Sequence, residues 1–294
     1  MILAAIDIGS NAARLLICEA ARYADGNVDY TKLTLLRIPL RLGMDVFSNG
    51  KIGEDKATQL IDTIKVYQLM MKIYKVEAFK ICATSAMRDA TNRLEILKKV
   101  KEETSLDIQI LSGDEEASVV FETHIAEHLV RSKSYLYIDV GGGSTELTLF
   151  SKNKIVFKES FNIGTIRLLQ NQVTEECWDD MKFFLKAAIK GYEPIIAIGS
   201  GGNINKILSL SKIKDGRALP FPLLRDYHKR LNALSIAERM HQFSLRSDRA
   251  DVIVPALQIY ISVMRWAAVG EINVPRIGLA DGLIRMLYKE KEVR

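Results

Sequence analysis

Residues 139–146, Asp-Val-Gly-Gly-Gly-Ser-Thr-Glu, set a carboxylate on either side of three glycines and two hydroxyls. Glycines in a turn let the backbone reach positive φ and leave its N–H groups uncovered, so that they converge on an anion such as a phosphoryl oxygen. Carboxylates do not bind phosphate directly. Asp139 and Glu146 make sense beside one if Mg²⁺ lies between, because a hard cation takes oxygen ligands and bridges well to phosphoryl groups. This chemistry needs Gly141, Gly142, Gly143 and Ser144 presented at the end of a sheet. The apolar run 135–138 before them and the alternating run 147–150 after them predict two strands joined by a hairpin turn. Taken alone, the glycines are equally compatible with an ordinary turn whose acids face water.

The first residues repeat the plan. Residues 3–17 read as a strand ending in Ile6-Asp7-Ile8-Gly9, a small polar turn with Ser10 and Asn11, and a second strand. Asp7 aligns with Asp139 at an offset of 132 residues, and Gly9 falls on Gly141. A duplicated half is the economical explanation, and it predicts two hairpins facing each other across a cleft that grips a phosphate chain from both sides.

Further segments could complete such a site. Residues 79–92 form an apolar strand that breaks into Thr84, Ser85 and Arg88 before a helix. Arg88 could clamp a phosphate through two parallel N–H bonds, or it could be a surface arginine near a helix start. Ser112 and Glu115 have the S-x-x-E spacing of a capping box, which gives Glu115 a structural role. Glu116 is not part of that box. It is the better candidate for a general base orienting an attacking water, against the plainer reading of an acid favoured by the helix dipole. His124 to His128 matches the H-x-x-E-H pattern of inverted zinc peptidases, but helix-packing histidines suit the surroundings better. Residues 195–207 repeat the strand, glycine turn and helix theme around Gly201, without G-x-G-x-x-G or P-loop spacing.

The connecting elements are scaffold. Ala57, Leu60, Ile61, Ile64, Tyr67 and Met71 recur at helical spacing over 54–74, and 174–190 is a second amphipathic helix. The segment 211–233, basic and broken by Pro220 and Pro222, reads as an exposed connection with little core. Helix is expected over 248–268, a short strand or turn at 276–279, and a last helix opening at Ala280-Asp281-Gly282.

The 294 residues allow one large or two medium domains, and 48% hydrophobic residues supply a sizeable core. No run approaches the length of a membrane span and no signal peptide is apparent, so the expectation is a cytoplasmic protein with no membrane partner. Cys18, Cys82 and Cys177 lack the spacing of a zinc site or a disulfide framework and read as buried thiols. A net charge of +5, from 41 Lys and Arg against 36 Asp and Glu, is too small to favour nucleic acid.

Taken in order, residues 5–11 (AIDIGSN), 84–88 (TSAMR), 112–117 (SGDEEA), 138–146 (IDVGGGSTE), 199–202 (GSGG) and 280–282 (ADG) resemble the Ppx/GppA family of exopolyphosphatases and guanosine pentaphosphate phosphohydrolases. The likeness spans nearly the whole chain. It implies an α/β, two-lobed, duplicated fold of the actin, Hsp70 and sugar-kinase type, built on ribonuclease H-like halves around a central cleft. The lobes are expected at 1–122 with 281–294, and at 123–280. It implies Glu116 as catalytic base and Asp139 and Glu146 as Mg²⁺ residues, with Asp7 placed beside them as the first-lobe aspartate. Ser10, Asn11, Arg88, Gly141, Gly142, Gly143, Ser144 and Gly201 become phosphate contacts. Mn²⁺ is a substitute metal, K⁺ an activator, and a homodimer the expected assembly.

The implied activity is Mg²⁺-dependent hydrolysis of the terminal phosphoanhydride of inorganic polyphosphate, with guanosine pentaphosphate 5′-phosphatase as the alternative substrate reading. A non-catalytic polyphosphate or alarmone sensor, and a sugar kinase or actin-like ATPase on the same fold, are the readings from other classes. Ala12 stands where the family usually has a hydroxyl and Asn203 where it has threonine. Longer members continue into a helical HD-type domain that extends the binding channel, so shorter or less processive polyphosphate use is expected here.

Overall fold

The computed structural model describes residues 1–121, 130, 133–152, 154–214, 216–275 and 277–292. The H-x-x-E-H stretch at 124–128 lies outside them. The chain divides into two compact units, Met1–His124 with Gly278–Arg294, and Ile125–Ile277.

The first unit opens with β1 (Ile2–Ile8), β2 (Ala13–Arg22) and β3 (Val28–Ile38) as an antiparallel meander. β1 is buried along nearly all its length, as its continuous apolar run requires of a central strand. Then come α1 (Leu42–Asn49), α2 (Glu54–Ile73), β4 (Ala78–Ala83), α3 (Ser85–Asp89), α4 (Arg93–Thr104), β5 (Gln109–Ile110) and α5 (Gly113–Phe121). The sheet order is β3-β2-β1-β4-β5, with β4 parallel to both neighbours. The six apolar positions expected on one face of α2 are all buried, and Tyr67 reaches through the core to donate from its hydroxyl to the Ala13 carbonyl at 2.9 Å. Burying each such large apolar side chain contributes about 1.5–3 kcal/mol before entropy is counted.

The second unit repeats the arrangement. β6 (Ser134–Val140), β7 (Thr145–Ser151) and β8 (Lys154–Phe161) form the meander, followed by α6 (Thr165–Leu169), α7 (Glu175–Ala188), β9 (Ile195–Ser200) and α8 (Gly202–Ser211). After them come β10 (Leu219–Pro220), α9 (Phe221–Asn232), α10 (Ile236–Phe243), α11 (Ser247–Ala250), α12 (Ile253–Trp266) and β11 (Glu271–Asn273). The order β8-β7-β6-β9-β11 matches β3-β2-β1-β4-β5, and β10 adds an outer strand. Each half therefore has the ribonuclease H-like plan, and the sequence repeat is a structural one. The C-terminal helix α13 (Leu279–Glu292) returns to the first unit and packs on β1, β2, β4 and α5.

Four expectations are corrected. The segment 211–233 is not a core-poor connection: α9 buries Leu224, Tyr227 and Leu231, and Leu219 is fully buried. The prolines punctuate without breaking, because Pro220 precedes the helix and Pro222 lies in its first turn, where a missing N–H costs no helical bond. Helix over 248–268 is divided into α11 and α12. Cys18 and Cys82 are buried, but Cys177 is half-exposed in the first turn of α7, its sulfur 3.3 Å from the Thr174 hydroxyl. No strand forms at the described residues of 276–279. No described helix is long and apolar enough to cross a membrane.

Candidate active site

The residues singled out by sequence fall into two groups, one in each unit. In the second unit, β6 and β7 pair antiparallel so that Asp139 lies directly opposite Glu146, with residues 141–144 as the turn between them. The Gly141 N–H closes the turn on the Ser144 carbonyl at 2.9 Å. The turn's carbonyls are held from below by the segment that opens α6. Thr165 N–H donates to Gly141 O at 3.1 Å, Ile166 N–H to Gly142 O at 2.8 Å, and the Arg167 Nε to Gly143 O at 2.8 Å. In a planar trans peptide the N–H points opposite to the C=O. The N–H groups of Gly142, Gly143 and Ser144 are therefore turned to the other side, as an anion cradle needs.

Gly164 makes this support feasible, because a Cβ there would lie 2.4 Å from Gly142 O. Gly201 closes the other flank. It has φ +119°, which an L side chain rarely adopts, and its Cβ would approach Val140 O at 3.1 Å and Asp139 Oδ1 at 3.6 Å. Glu146, 4% exposed, accepts hydrogen bonds from Ser144 Oγ at 2.6 Å and Ser160 Oγ at 3.0 Å, both on Oε1. Beneath Gly201, the Tyr260 hydroxyl donates to the Ser200 carbonyl. Burial first, and the nearby Asp139 second, push this phenol well above its usual pKa, so it stays a neutral donor.

Two carboxylates directly opposite on neighbouring strands repel each other unless a cation or proton sits with them. Mg²⁺ takes one or two carboxylates and completes its octahedron with waters and substrate phosphates. Asp139 and Glu146 beside an anion cradle fit that donor set. Among the described residues no group of three or more His, Cys, Asp or Glu is placed to hold a metal.

The first unit differs at the same register. Asp7 lies opposite Arg14, whose Nη1 donates to Asp7 Oδ2 at 2.8 Å. Asp7 is 4% exposed, and burial raises its pKa while Arg14 opposes the rise. Its turn is supported as in the second unit, by the segment that opens the next helix: Gly43 N–H donates to Ser10 O at 2.8 Å and Arg41 N–H to Asn11 O at 2.9 Å. The N–H groups of Asn11 and Ala12 consequently face the other way. The Ser10 and Ser85 hydroxyls meet at 2.7 Å.

Arg88, on α3, donates from Nη1 to the Leu111 carbonyl at 2.8 Å, and the same nitrogen lies 3.9 Å from Glu116 Oε2. The phosphate-clamp and base candidates thus share one locality within the first unit. The predicted capping box forms, with Glu115 N–H on Ser112 Oγ at 3.1 Å and Ser112 N–H on Glu115 Oε2 at 2.8 Å. Glu116, one residue on, points elsewhere with its side chain 14% exposed.

Arg14, Gly164, Arg167 and Ser160 were not singled out by sequence. Arg14 had a usable signal: it lies 132 residues before Glu146, the offset that relates Asp7 to Asp139 (146 − 14 = 139 − 7). Gly164 and Ser160 gave none, because their importance comes from neighbours brought in by the sheet.

The family model described as the Ppx/GppA phosphatase family matches residues 22–290. A bifunctional 3-dehydroquinate synthase/phosphatase of Fusobacterium nucleatum is 32% identical over 82% of this chain, which spans only 35% of that relative's length. Exopolyphosphatase 1 of Mycobacterium tuberculosis is 24% identical over 97% of this chain and 87% of its own. Among solved structures, an exopolyphosphatase from Cytophaga hutchinsonii superposes with a TM-score of 0.85 at 25% identity, covering 98% of both chains. The Aquifex aeolicus Ppx/GppA family member superposes at 0.78 and 24% identity, covering 99% of this chain and 98% of its own, a likeness of fold. With the family model spanning nearly the whole chain and both glycine hairpins formed, the protein belongs to the Ppx/GppA phosphatase family.

Proposed function

We propose that the protein hydrolyses the terminal phosphoanhydride of inorganic polyphosphate, with Mg²⁺ held by Asp139 and Glu146. The observation that carries this reading is their cross-strand pairing at the mouth of a turn whose three glycine carbonyls are tied down. Bound there, Mg²⁺ supplies charge neutralisation to the transferring group. The other roles belong to the chain. Glu116 orients the attacking water and takes its proton as the oxygen bonds to the terminal phosphorus. The bond to the bridging oxygen breaks, inorganic phosphate leaves, and the chain is one phosphate shorter. The N–H groups of 142–144, with Ser10, Asn11, Arg88 and Gly201, contact phosphoryl oxygens, stabilising charge that spreads over them in the transition state.

Asp7 is not included among the metal residues, since its carboxylate is engaged by Arg14. The 5′ γ-phosphate of guanosine pentaphosphate is the second substrate reading, supported by a Vibrio parahaemolyticus relative named guanosine-5′-triphosphate,3′-diphosphate pyrophosphatase, 23% identical over 98% of this chain and 59% of its own. Both substrates present the same terminal phosphoanhydride. Mn²⁺ as a substitute, K⁺ as an activator and a homodimeric assembly complete the proposal, and sedimentation analysis checks the last.

Glu116→Gln tests the assignment. Phosphate release from short-chain polyphosphate should fall about 10²–10⁴-fold, the range for removal of a positioned general base. Release at the wild-type rate would remove Glu116 from the mechanism. Running guanosine pentaphosphate in parallel ranks the two substrates.

A further inference from the structure

The base candidate sits on α5, and the contact that seats α5 comes from the other end of the chain. Gly282, in α13, packs against α5 so closely that a Cβ on it would lie 2.1 Å from the Val119 carbonyl oxygen and 2.8 Å from Val119 C and Cγ1. The obstacle is backbone, which no rotamer change removes. Val119 and Glu116 are three residues apart on a helix, and so lie on adjoining parts of one face. Whatever displaces α5 at Val119 displaces Glu116 with it.

α13 is itself anchored where it makes this contact. Asp281 accepts the Gly278 N–H on Oδ2 at 2.9 Å, fixing the first turn, and its Oδ1 pairs with Lys32 Nζ on β3 at 2.6 Å. One turn on, the Arg285 guanidinium lies 4.5 Å from the Tyr30 ring centroid, a second tie to β3. At its other end α5 has the Ser112–Glu115 capping box, and Leu111, just ahead of that box, accepts from Arg88 on its carbonyl. The cap ties the first turn only to itself, so the Gly282 contact sets how close the helix, Glu116 included, lies to α13.

We propose that Gly282, with the Lys32–Asp281 anchor, is a positioning residue for the catalytic base: the absence of a side chain at 282 sets the distance of Glu116 from the reacting phosphorus. This rests on the reading of Glu116 as base. Nothing in the local backbone requires glycine otherwise, since 282 lies inside a regular helix, where alanine is favoured by about 1 kcal/mol. A loss on substitution therefore reports the contact.

The test is a double-mutant cycle on phosphate release from polyphosphate, with folding checked by circular dichroism. Gly282→Ala should lower kcat about 10²-fold, as a displacement near 1 Å does, and leave KM within about twofold. In a Glu116→Gln background the same substitution should cost no more than about twofold, because the group it displaces is already gone. A loss of equal size in both backgrounds, or a folded Gly282→Ala within twofold of wild type, overturns the inference. If Gly282→Ala does not fold, Lys32→Met and Asp281→Asn decide: a fall in kcat confined to the Glu116 background supports it, and unchanged kcat overturns it. Glu116→Gln at wild-type activity would instead sink the base assignment itself, so the two failures are told apart.

Discussion

The two hairpins occupy equivalent places in equivalent sheets, yet the rows of side chains that cross those sheets carry opposite chemistry. In the first unit Cys82, Asp7, Arg14 and Arg37 lie in register across β4, β1, β2 and β3. In the second, Ser200, Asp139, Glu146 and Ser160 lie in register across β9, β6, β7 and β8. The turns are supported in the same way, by N–H groups from the segment that opens the next helix. Backbone architecture sets where the turn stands, and one cross-strand partner sets what stands beside it. Arg14 sets a cation beside Asp7, whereas Glu146 sets a second carboxylate opposite Asp139.

The largest expected effects fall on the acidic row. Asp139→Asn and Glu146→Gln should each reduce Mg²⁺-dependent phosphate release about 10³-fold, comparable to removing a principal transition-state stabiliser. A steady-state assay at saturating Mg²⁺ checks this, and near-wild-type rates would dissolve the contrast between the rows.

The basic row should speak through stability. Arg14→Met leaves Asp7 buried without its partner, and chemical denaturation at pH 8 should show a loss of about 2 kcal/mol. That is below the roughly 3–5 kcal/mol for a fully buried pair, since the Arg14 side chain is 35% exposed. The sign of its pH dependence follows from the direction of the Asp7 shift. Burial raises the Asp7 pKa and Arg14 lowers it, so removing Arg14 raises it further. A raised carboxyl favours the fold at low pH and loses that contribution as pH rises through the folded pKa. The deficit of Arg14→Met should therefore shrink on acidification, and a deficit that grew would reverse the argument for a charge-neutralised row.

The smallest effect concerns the first turn. Ala12→Ser restores a hydroxyl beside the turn and should tighten substrate binding by about two- to fivefold, the worth of one hydrogen bond. KM for short polyphosphate is the readout.

Much of this was legible in the chain. Asp7 and Asp139, each followed two residues later by glycine at a constant offset, announced two hairpins, and sheet orders and registers realise them. The Ser112–Glu115 box could be read because capping is local in sequence. What could not be read depends on distant partners. Gly164 is an unremarkable strand-end glycine until the sheet brings it under Gly142. Ser160 matters only because β8 pairs with β7 at Glu146. The prolines of segment 211–233 read as breakers in sequence, although Pro222 falls in a helical first turn.

Counting bound Mn²⁺ by electron paramagnetic resonance, in wild type, Glu146→Gln and Asp7→Asn, tests most directly whether the two rows take different ligands. One Mn²⁺ per chain in wild type and in Asp7→Asn, with binding lost in Glu146→Gln, is the expected result. Binding that survives in Glu146→Gln and disappears in Asp7→Asn would place the metal with the other aspartate and contradict the assignment.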